Sequence, residues 1–183
     1  MSDTVATISA VCLSPKHGFS KHPRLSIRLL AGLGVEGDAH CGATVQHLYL
    51  KRKNASAPNR MQVHLLQEEL FNELAALGHT LRAGDLGENI TTRGIDLLTL
   101  PAGTRLHVGN DAVVELTCLR TPCKLIDGFQ PGLMKQLVLK GKEHSVPARA
   151  GVMSVVLRGG EVCAGDNIVI ERPAEPWHPL RFL

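Results

Sequence analysis

Residues 104–119, which read TRLHVGNDAVVELTCL, carry the clearest fold signal in this sequence. Two apolar runs, 104–108 and 113–119, lie on either side of the turn-forming residues Gly109-Asn110-Asp111-Ala112. Short apolar runs that flank Gly, Asn and Asp are typical of a β-hairpin. The segment therefore predicts two antiparallel strands joined by a short turn.

The same kind of pattern extends in both directions from this hairpin. Runs at 153–157 and 161–164 flank Arg158-Gly159-Gly160 and predict a second hairpin, and 167–171 is predicted to be a last strand. Upstream, the predicted strands are 4–13, 25–30 and 61–65. Two helices are predicted, one at 67–77, which ends at Gly78, and a short one at 131–140.

Many short strands, frequent glycine turns and few helices indicate a mainly β (α+β) chain. This pattern predicts a closed or nearly closed β-barrel with a few short peripheral helices. No linker divides the chain, so we expect one domain over 1–183, with a core at about 5–171 and a proline-rich tail at 172–183 that packs in extended form. The basic stretch 51–60 is predicted to be a mobile surface loop.

Cys123 follows the second strand of the first hairpin, within Arg120-Thr121-Pro122-Cys123-Lys124. Because proline cannot donate to a sheet, the strand should end here and leave Cys123 at a strand-to-loop junction. Arg120 and Lys124 would favour the thiolate, which is the form that a soft metal ion or a nucleophilic mechanism needs. Free cysteine is also often a small buried hydrophobe, so that alternative stays open.

Composition narrows the class of protein. Of 183 residues, 44% are hydrophobic and 20% are charged, which is typical of a soluble globular chain, and no apolar run is long enough for a membrane helix. Five cysteines without CxxC spacing, and an N-terminus without signal-peptide features, predict a cytoplasmic protein. A net charge of +3 with 3% aromatic residues argues against nucleic-acid binding and favours a small anionic ligand.

Four segments together resemble the MOSC family, which is named after the C-terminal domain of molybdenum cofactor sulfurases. Gly87-Glu88-Asn89 through Leu97 is close to the family's GENxxxxGxxL pattern, and Arg120-Thr121-Pro122-Cys123 lies at its conspicuous cysteine. The other two segments are Arg149-Ala150-Gly151-Val152 through Ala164-Gly165-Asp166, and Gly37-Asp38-Ala39-His40-Cys41-Gly42. The resemblance covers about residues 5–171 and is to the stand-alone, single-domain members.

The resemblance implies a MOSC-type β-barrel with a pocket for a molybdenum–pterin cofactor (molybdopterin). Cys123 would be the molybdenum ligand and the catalytic residue, since thiolate suits such a metal centre. The cofactor carries phosphate, so the forked donors of Arg120, Arg149 and Arg93 are candidates to bind it. Thr121, Asn89 and Thr91 are expected to complete the pocket. For Glu88, we prefer a turn in which its side chain bonds to backbone.

These implications predict a small molybdoenzyme that reduces N-hydroxylated compounds. The sequence has no iron–sulfur cysteine cluster and no nucleotide fingerprint, so a separate electron-donating reductase is expected. An alternative is a carrier that holds the cofactor, or a persulfide on Cys123, without turnover. Less favoured are a divalent-metal hydrolase at Asp38 and His40, with Cys41, His47 and His64 nearby in sequence, and a thiol nucleophile that pairs Cys123 with His144.

Overall fold

The computed structural model describes residues 5–139 and 146–183. Three residues with predicted roles lie outside the described residues. They are Thr4 in a predicted strand, Lys140 in a predicted helix and His144 in a predicted nucleophile pair. The strands are β1 Thr7–Leu13, β2 His22–Arg24, β3 Ser26–Leu30, β4 Gly34–Val35, β5 Val63–Gln67, β6 Ile90–Arg93, β7 Arg105–Val108, β8 Ala112–Leu119, β9 Val152–Arg158, β10 Gly160–Cys163 and β11 Ile168–Glu171. The helices are α1 Leu48–Lys53, α2 Glu69–Ala76, α3 Leu125–Phe129 and α4 Leu133–Leu137, with a 3-10 turn at Leu97–Thr99. Strands outnumber the short helices, so the prediction of a mainly β chain is confirmed.

The strands form two open sheets. Eight of them follow the order β11-β7-β8-β9-β5-β6-β1-β2, and three follow the order β10-β3-β4. The edge strands β11 and β2 are not paired with each other, so within the described residues no sheet closes on itself. The prediction of a closed barrel is therefore not supported. An isolated bridge, Thr7 to Asn167, connects the β1 side to the β11 side.

One predicted hairpin is confirmed and the other is wrong. β7 pairs with β8 as an antiparallel hairpin, with Val108 opposite Ala112. β10, however, pairs with β3 rather than with β9. Only Gly159 separates β9 from β10, which is fewer residues than the two that the tightest hairpin loop requires. The chain therefore changes sheets at this glycine.

A β-α-β unit builds the layer next to the candidate site. β5 and β6 are parallel, and α2 crosses between them with Leu70 and Leu74 buried. The predicted helix 67–77 is confirmed as α2, whereas the parallel pairing was not predicted. α1 is a second difference, because residues 48–53 are helical where the basic stretch was predicted to begin as a loop.

Two apolar clusters form the core. The larger lies among the strands and includes Leu65, Ile90 and Leu116, all at most 1% exposed. The smaller is formed by α2, α3 and α4 around Leu74 and Ile126. The tail contributes too, since Leu180 is buried and the carbonyl of Arg181 accepts a bond from Leu119 N. No helix in the described part of the chain is long and apolar enough to span a membrane.

Gly151, directly before β9, is predicted to tolerate a side chain poorly. Its φ is +97°, and an added Cβ would lie 2.5 Å from both His64 Nε2 and the Leu65 carbonyl oxygen. Gly165 has a similar φ of +94° but open space around it. We expect Gly165→Ala to lower the free energy of unfolding by about 1–2 kcal/mol through backbone strain alone. Gly151→Ala should cost about 1–3 kcal/mol more through overpacking.

Urea denaturation of both variants tests this, with Gly165→Ala as the matched control. Equal losses of unfolding free energy in the two variants would show that the close approach of His64 and Leu65 does not restrict which side chain fits at position 151.

Candidate functional site

Cys123 lies where the sequence predicted, between the end of a strand and the start of a helix. β8 ends at Leu119, the next backbone N–H, that of Arg120, donates to the Gly151 carbonyl at 3.0 Å, and α3 begins at Leu125. The Cys123 carbonyl accepts from Ile126 N at 3.0 Å, which fixes the loop onto α3. The cysteine is half-buried and not in a disulfide, so its thiol can reach a bound group.

Arg120 is the most unusual cation in this region. Its Nη1 is buried and has no hydrogen-bond partner among the described residues. Burial lowers the pKa of the guanidinium, and the nearby Cys123 and Glu88 act on it in the opposite direction. The guanidinium carbon lies 5.8 Å from the Phe19 ring centroid. Because an unpaired buried donor is costly, this group is suited to an anionic partner that the described residues do not supply.

Glu88, whose charge acts on Arg120, is fully buried. Its Oε1 accepts from Gly84 N at 2.7 Å and from Thr91 Oγ1 at 3.2 Å, so the turn that was preferred for Glu88 is present. Its Oε2 has no partner among the described residues, and burial raises the pKa of the carboxyl. Thr91 therefore binds Glu88, and its predicted contact with a cofactor stays a prediction.

Asn89 ties three segments together. Its Nδ2 donates to the Cys12 carbonyl and to Asp38 Oδ2, both at 3.2 Å, and its Oδ1 accepts from His64 N at 3.2 Å. Both ends of the amide are thus used within the protein. Asn89 joins β1 and β5 to the glycine-rich loop, and its predicted role in shaping the pocket is not tested by these contacts.

Asp38 is the centre of a buried charged chain. Its Oδ2 accepts from Lys21 Nζ at 2.5 Å and its Oδ1 from the backbone N of His40 at 2.9 Å, with His40 Nδ1 at 3.3 Å. Burial alone would raise the pKa of Asp38, but the bonds from His40 and the charge of Lys21 outweigh it and hold the pKa well below its usual range. Burial lowers the pKa of Lys21.

The Lys21–Asp38–His40 chain runs from the interior to the surface. The side chains of Lys21 and Asp38 are 7% and 1% exposed, whereas that of His40 is 27% exposed. A carboxylate that holds an imidazole by Nδ1 leaves Nε2 to exchange protons. The three side chains therefore have the composition of a proton-donating group, in which the buried Lys21 and Asp38 hold His40 in place.

The histidines near His40 share its surroundings. The His17 and His40 rings are in edge-on contact, with centroids 5.0 Å apart. Partial burial and the charge of His40 lower the pKa of both His17 and His47. His64 differs, because it is buried, lies 2.9 Å by Nε2 from the Ala150 carbonyl and has its pKa lowered to about 3 by burial and by Arg120.

These contacts bear on the less favoured chemistries. In residues 5–139 and 146–183, no group of three or more His, Cys, Asp and Glu side chains is arranged to hold a metal ion. Asp38 accepts from Lys21, Ser14 N, His40 and Asn89, which leaves little room for a cation. The Asp38–His40 metal hydrolase therefore gains no support. The partner proposed for a thiol nucleophile, His144, lies outside the described residues.

Arg93 and Arg149 do not share the environment of Arg120. Arg93 is exposed and paired through Nε and Nη2 with Glu68. Arg149 is bound to Glu73 Oε2 at 2.5 Å and to the Gln136 carbonyl at 2.9 Å. It lines a cavity of about 270 Å³ that neither Arg120 nor Cys123 lines. Each of these two arginines already has a carboxylate partner, so their predicted cofactor contacts stay predictions.

Two contributors were missed from the sequence. Lys21 was not singled out, because nothing in a single sequence marks a lysine as buried. Phe19 was not singled out, although its ring lies against both Arg120 and Phe129, with the two phenylalanine centroids 5.6 Å apart. Lys21 and Phe19 lie on one loop, which packs over Gly84 and Gly87. The signal that could have pointed to this loop is the pair of glycines that its backbone approaches.

Solved structures with a similar fold exist. The YuaD protein from Bacillus subtilis matches with a TM-score of 0.74 and 22% sequence identity, over 93% of this chain and 98% of that chain. YiiM from Geobacillus stearothermophilus matches with a TM-score of 0.68 and 18% identity, over 96% and 80% of the two chains. YiiM from Escherichia coli gives a TM-score of 0.55 and 16% identity, over 94% and 73%. At these identities the likeness concerns the fold.

The sequence itself identifies the family. No curated protein sequence matches this chain. The sequence profile of the MOSC domain matches residues 46–169, which include Gly87-Glu88-Asn89, Cys123 and Arg149. That match covers more than half of the chain, and the two kinds of similarity agree. The protein belongs to the MOSC domain family, which is associated with the molybdenum cofactor.

Proposed function

We propose that this protein holds a molybdenum–pterin cofactor at Cys123 and Arg120 and reduces N-hydroxylated compounds. The observation that carries the proposal is the buried Nη1 of Arg120, which has no partner among the described residues and lies in the same short loop as a half-buried free thiol. A soft sulfur donor and an unsatisfied guanidinium are complementary to a metal centre and to a phosphate, respectively. Family membership supports the same cofactor.

The residues present fit such a group at one place. Cys123 would hold the metal through Sγ, and Arg120 would hold an anionic oxygen through Nη1. The exposed Thr121, between them, would add a hydroxyl donor. Arg93 and Arg149 would have to leave Glu68 and Glu73 before they could bind phosphate, so they contribute less to the proposal. The five free cysteines are compatible with a reducing compartment such as the cytoplasm.

The reaction is R–NHOH + 2 e⁻ + 2 H⁺ → R–NH₂ + H₂O, and its protons must come from the protein or from solvent. When bound, the molybdenum centre supplies the two-electron oxygen-atom chemistry. His40 is our candidate to hold and pass a proton, because Asp38 fixes its Nδ1 side and no described residue bonds to its Nε2. Lys21 keeps Asp38 ionised, so the carboxylate continues to orient His40 rather than take its proton.

Arg120→Met tests the cofactor site. Replacing a buried donor that has no described partner with an apolar side chain of similar length should leave the unfolding free energy of the apoprotein within about 1 kcal/mol of wild type, or raise it. Loss of a charge-assisted bond to the cofactor should lower retained pterin and molybdenum by about tenfold or more. Both are measured after expression in a host that makes the cofactor, by metal analysis and by fluorescence of the oxidised pterin.

Arg93→Met is the matched control, because it removes an exposed arginine that is paired with Glu68. It should retain the cofactor as wild type does. Wild-type protein without pterin or molybdenum, even after reconstitution, would contradict the proposal. Retention of the cofactor without turnover of an N-hydroxylated base, given a chemical reductant, would favour the carrier alternative.

A further inference from the structure

A short basic helix on the surface takes no part in the proposed chemistry. None of the residues of α1, Leu48–Lys53, is buried, and Leu48 and Tyr49 are 51% and 58% exposed. Lys51, Arg52 and Lys53 fill its last turn. A helix this short gains little from its own backbone bonds, and α1 gains no core packing either. Its apolar and basic side chains are therefore left for an outside partner.

The positive charge of this region is not paired with acidic side chains among the described residues. Residues 39–67 contain four Lys and Arg residues and no Asp or Glu. Among the described residues, no salt bridge involves Lys51, Arg52 or Lys53. Lys53 Nζ instead lies 4.6 Å from the Tyr49 ring centroid, and Lys51 donates to Gln46 Oε1 at 3.4 Å. Such a patch attracts an acidic surface.

The loop that carries α1 is fastened to the candidate site. Asn59 Nδ2 donates to the carbonyls of His40 and Gly42, both at 3.0 Å, and an isolated bridge joins Thr44 to Pro58. His47 directly precedes α1. Burial lowers the pKa of His47, and the nearby positive charges of His40 and Arg120 lower it further. A partner bound to α1 would therefore lie beside the site.

We propose that α1 is the docking surface for an acidic electron-transfer protein, such as a small flavin or iron–sulfur carrier. This inference rests on the proposed function, in which cleavage of each N–O bond consumes two electrons that the carrier loses on oxidation. Electron-transfer complexes are typically small and weak, and charge complementarity brings the partners together. Leu48 and Tyr49 supply apolar contact area, and Lys51, Arg52 and Lys53 supply the complementary charge.

The test is a binding measurement with flavodoxin, a small acidic flavin protein, and it needs no molybdenum. We expect Lys51→Glu/Arg52→Glu/Lys53→Glu to raise the Kd for flavodoxin by at least about tenfold and to flatten its dependence on salt. The matched control, Lys135→Glu/Arg158→Glu/Arg172→Glu, reverses three exposed cations outside α1. It should change the Kd by less than about threefold, because it alters only the overall field of the protein.

Activity provides a second readout that separates the two proposals. The α1 variant should lose turnover with reduced flavodoxin but keep it with reduced methyl viologen, a small chemical donor. If flavodoxin and ferredoxin both fail to bind the wild type, or if both charge reversals weaken binding equally, the docking surface is wrong. Binding of duplex DNA or anionic vesicles through α1, without binding of flavodoxin, would also overturn it. Lack of turnover with methyl viologen would count against the proposed function alone.

Discussion

Replacing Cys123 with serine is expected to abolish reduction of an N-hydroxylated base while leaving the fold intact. Serine keeps the shape of the side chain, but its alcohol is a harder donor and stays protonated where a thiol ionises. Disturbing an outer-shell partner of a metal ligand typically costs about 10–100-fold, so loss of the ligand itself should cost at least about 100-fold in turnover. Because Cys123 is half-buried in a loop, the unfolding free energy should change by less than about 1 kcal/mol.

The measurement is turnover with reduced methyl viologen, together with molybdenum content and thermal unfolding of the same preparation. Cys163→Ser is the control, since Cys163 is another half-buried free thiol and lies on β10, in the smaller sheet. Cys123→Ser with wild-type turnover would remove Cys123 from the site. A mass increase of one sulfur atom on wild-type protein, absent from Cys123→Ser and unaccompanied by bound molybdenum, would point to the persulfide carrier instead.

The parts of this fold that were predicted correctly depend on neighbours in sequence. The β7–β8 hairpin follows from four turn residues, and the position of Cys123 just after the strand follows from Pro122, which cannot continue a sheet. The pairings that were missed join distant segments, such as β3 with β10 and the parallel pair of β5 and β6. A strand's own sequence predicts that it forms but does not say which strand will pair with it. That is also why the open sheets were predicted as a barrel.

The candidate site likewise contains some residues whose proximity was predictable from the sequence and others whose proximity was not. Cys123 and Arg120 are three residues apart, so their proximity follows from the sequence. Lys21, Asp38 and Glu88 approach each other only because three loops pack together, and burial of a charge leaves no mark on a single sequence. Arg93 and Arg149 were selected for the chemistry of their side chains, but their surroundings depend on where Glu68 and Glu73 are placed by the fold.

Asp38→Asn is expected to be among the most destabilising single changes in this protein. It leaves Lys21, 8% exposed, as a buried cation without its counter-ion. Breaking a buried ion pair on one side typically costs about 3–5 kcal/mol. Glu68→Gln is the control, because it breaks the exposed pair with Arg93, and surface pairs contribute at most about 1 kcal/mol. Urea denaturation of both variants gives the comparison, and equal losses would show that Asp38 and Lys21 do not depend on each other.

The pH dependence of stability tests whether the charge of Asp38 is the cause of this loss. The pKa of Asp38 is lower in the folded protein than the value of about 3.9 expected in the unfolded chain. Its carboxylate therefore adds stability that is fully present above about pH 5 and is lost as the pH falls through the folded pKa. The gap in unfolding free energy between wild type and Asp38→Asn should shrink in acid. A gap that stays constant from about pH 7 to pH 3 would mean that packing, rather than charge, is responsible.

A double substitution tests whether the buried charge of Lys21 causes the loss of stability in Asp38→Asn. If the loss in Asp38→Asn comes from the stranded ammonium of Lys21, then Lys21→Met in the same chain should restore a large part of it, because the buried charge is gone. His40 would still lack a carboxylate on its Nδ1 side. The double variant is therefore expected to fold well but to turn over slowly. Its loss of turnover relative to wild type should depend on pH, because proton delivery depends on pH. Full activity in the restored fold would mean that the chain of Lys21, Asp38 and His40 supports the structure and does not deliver protons.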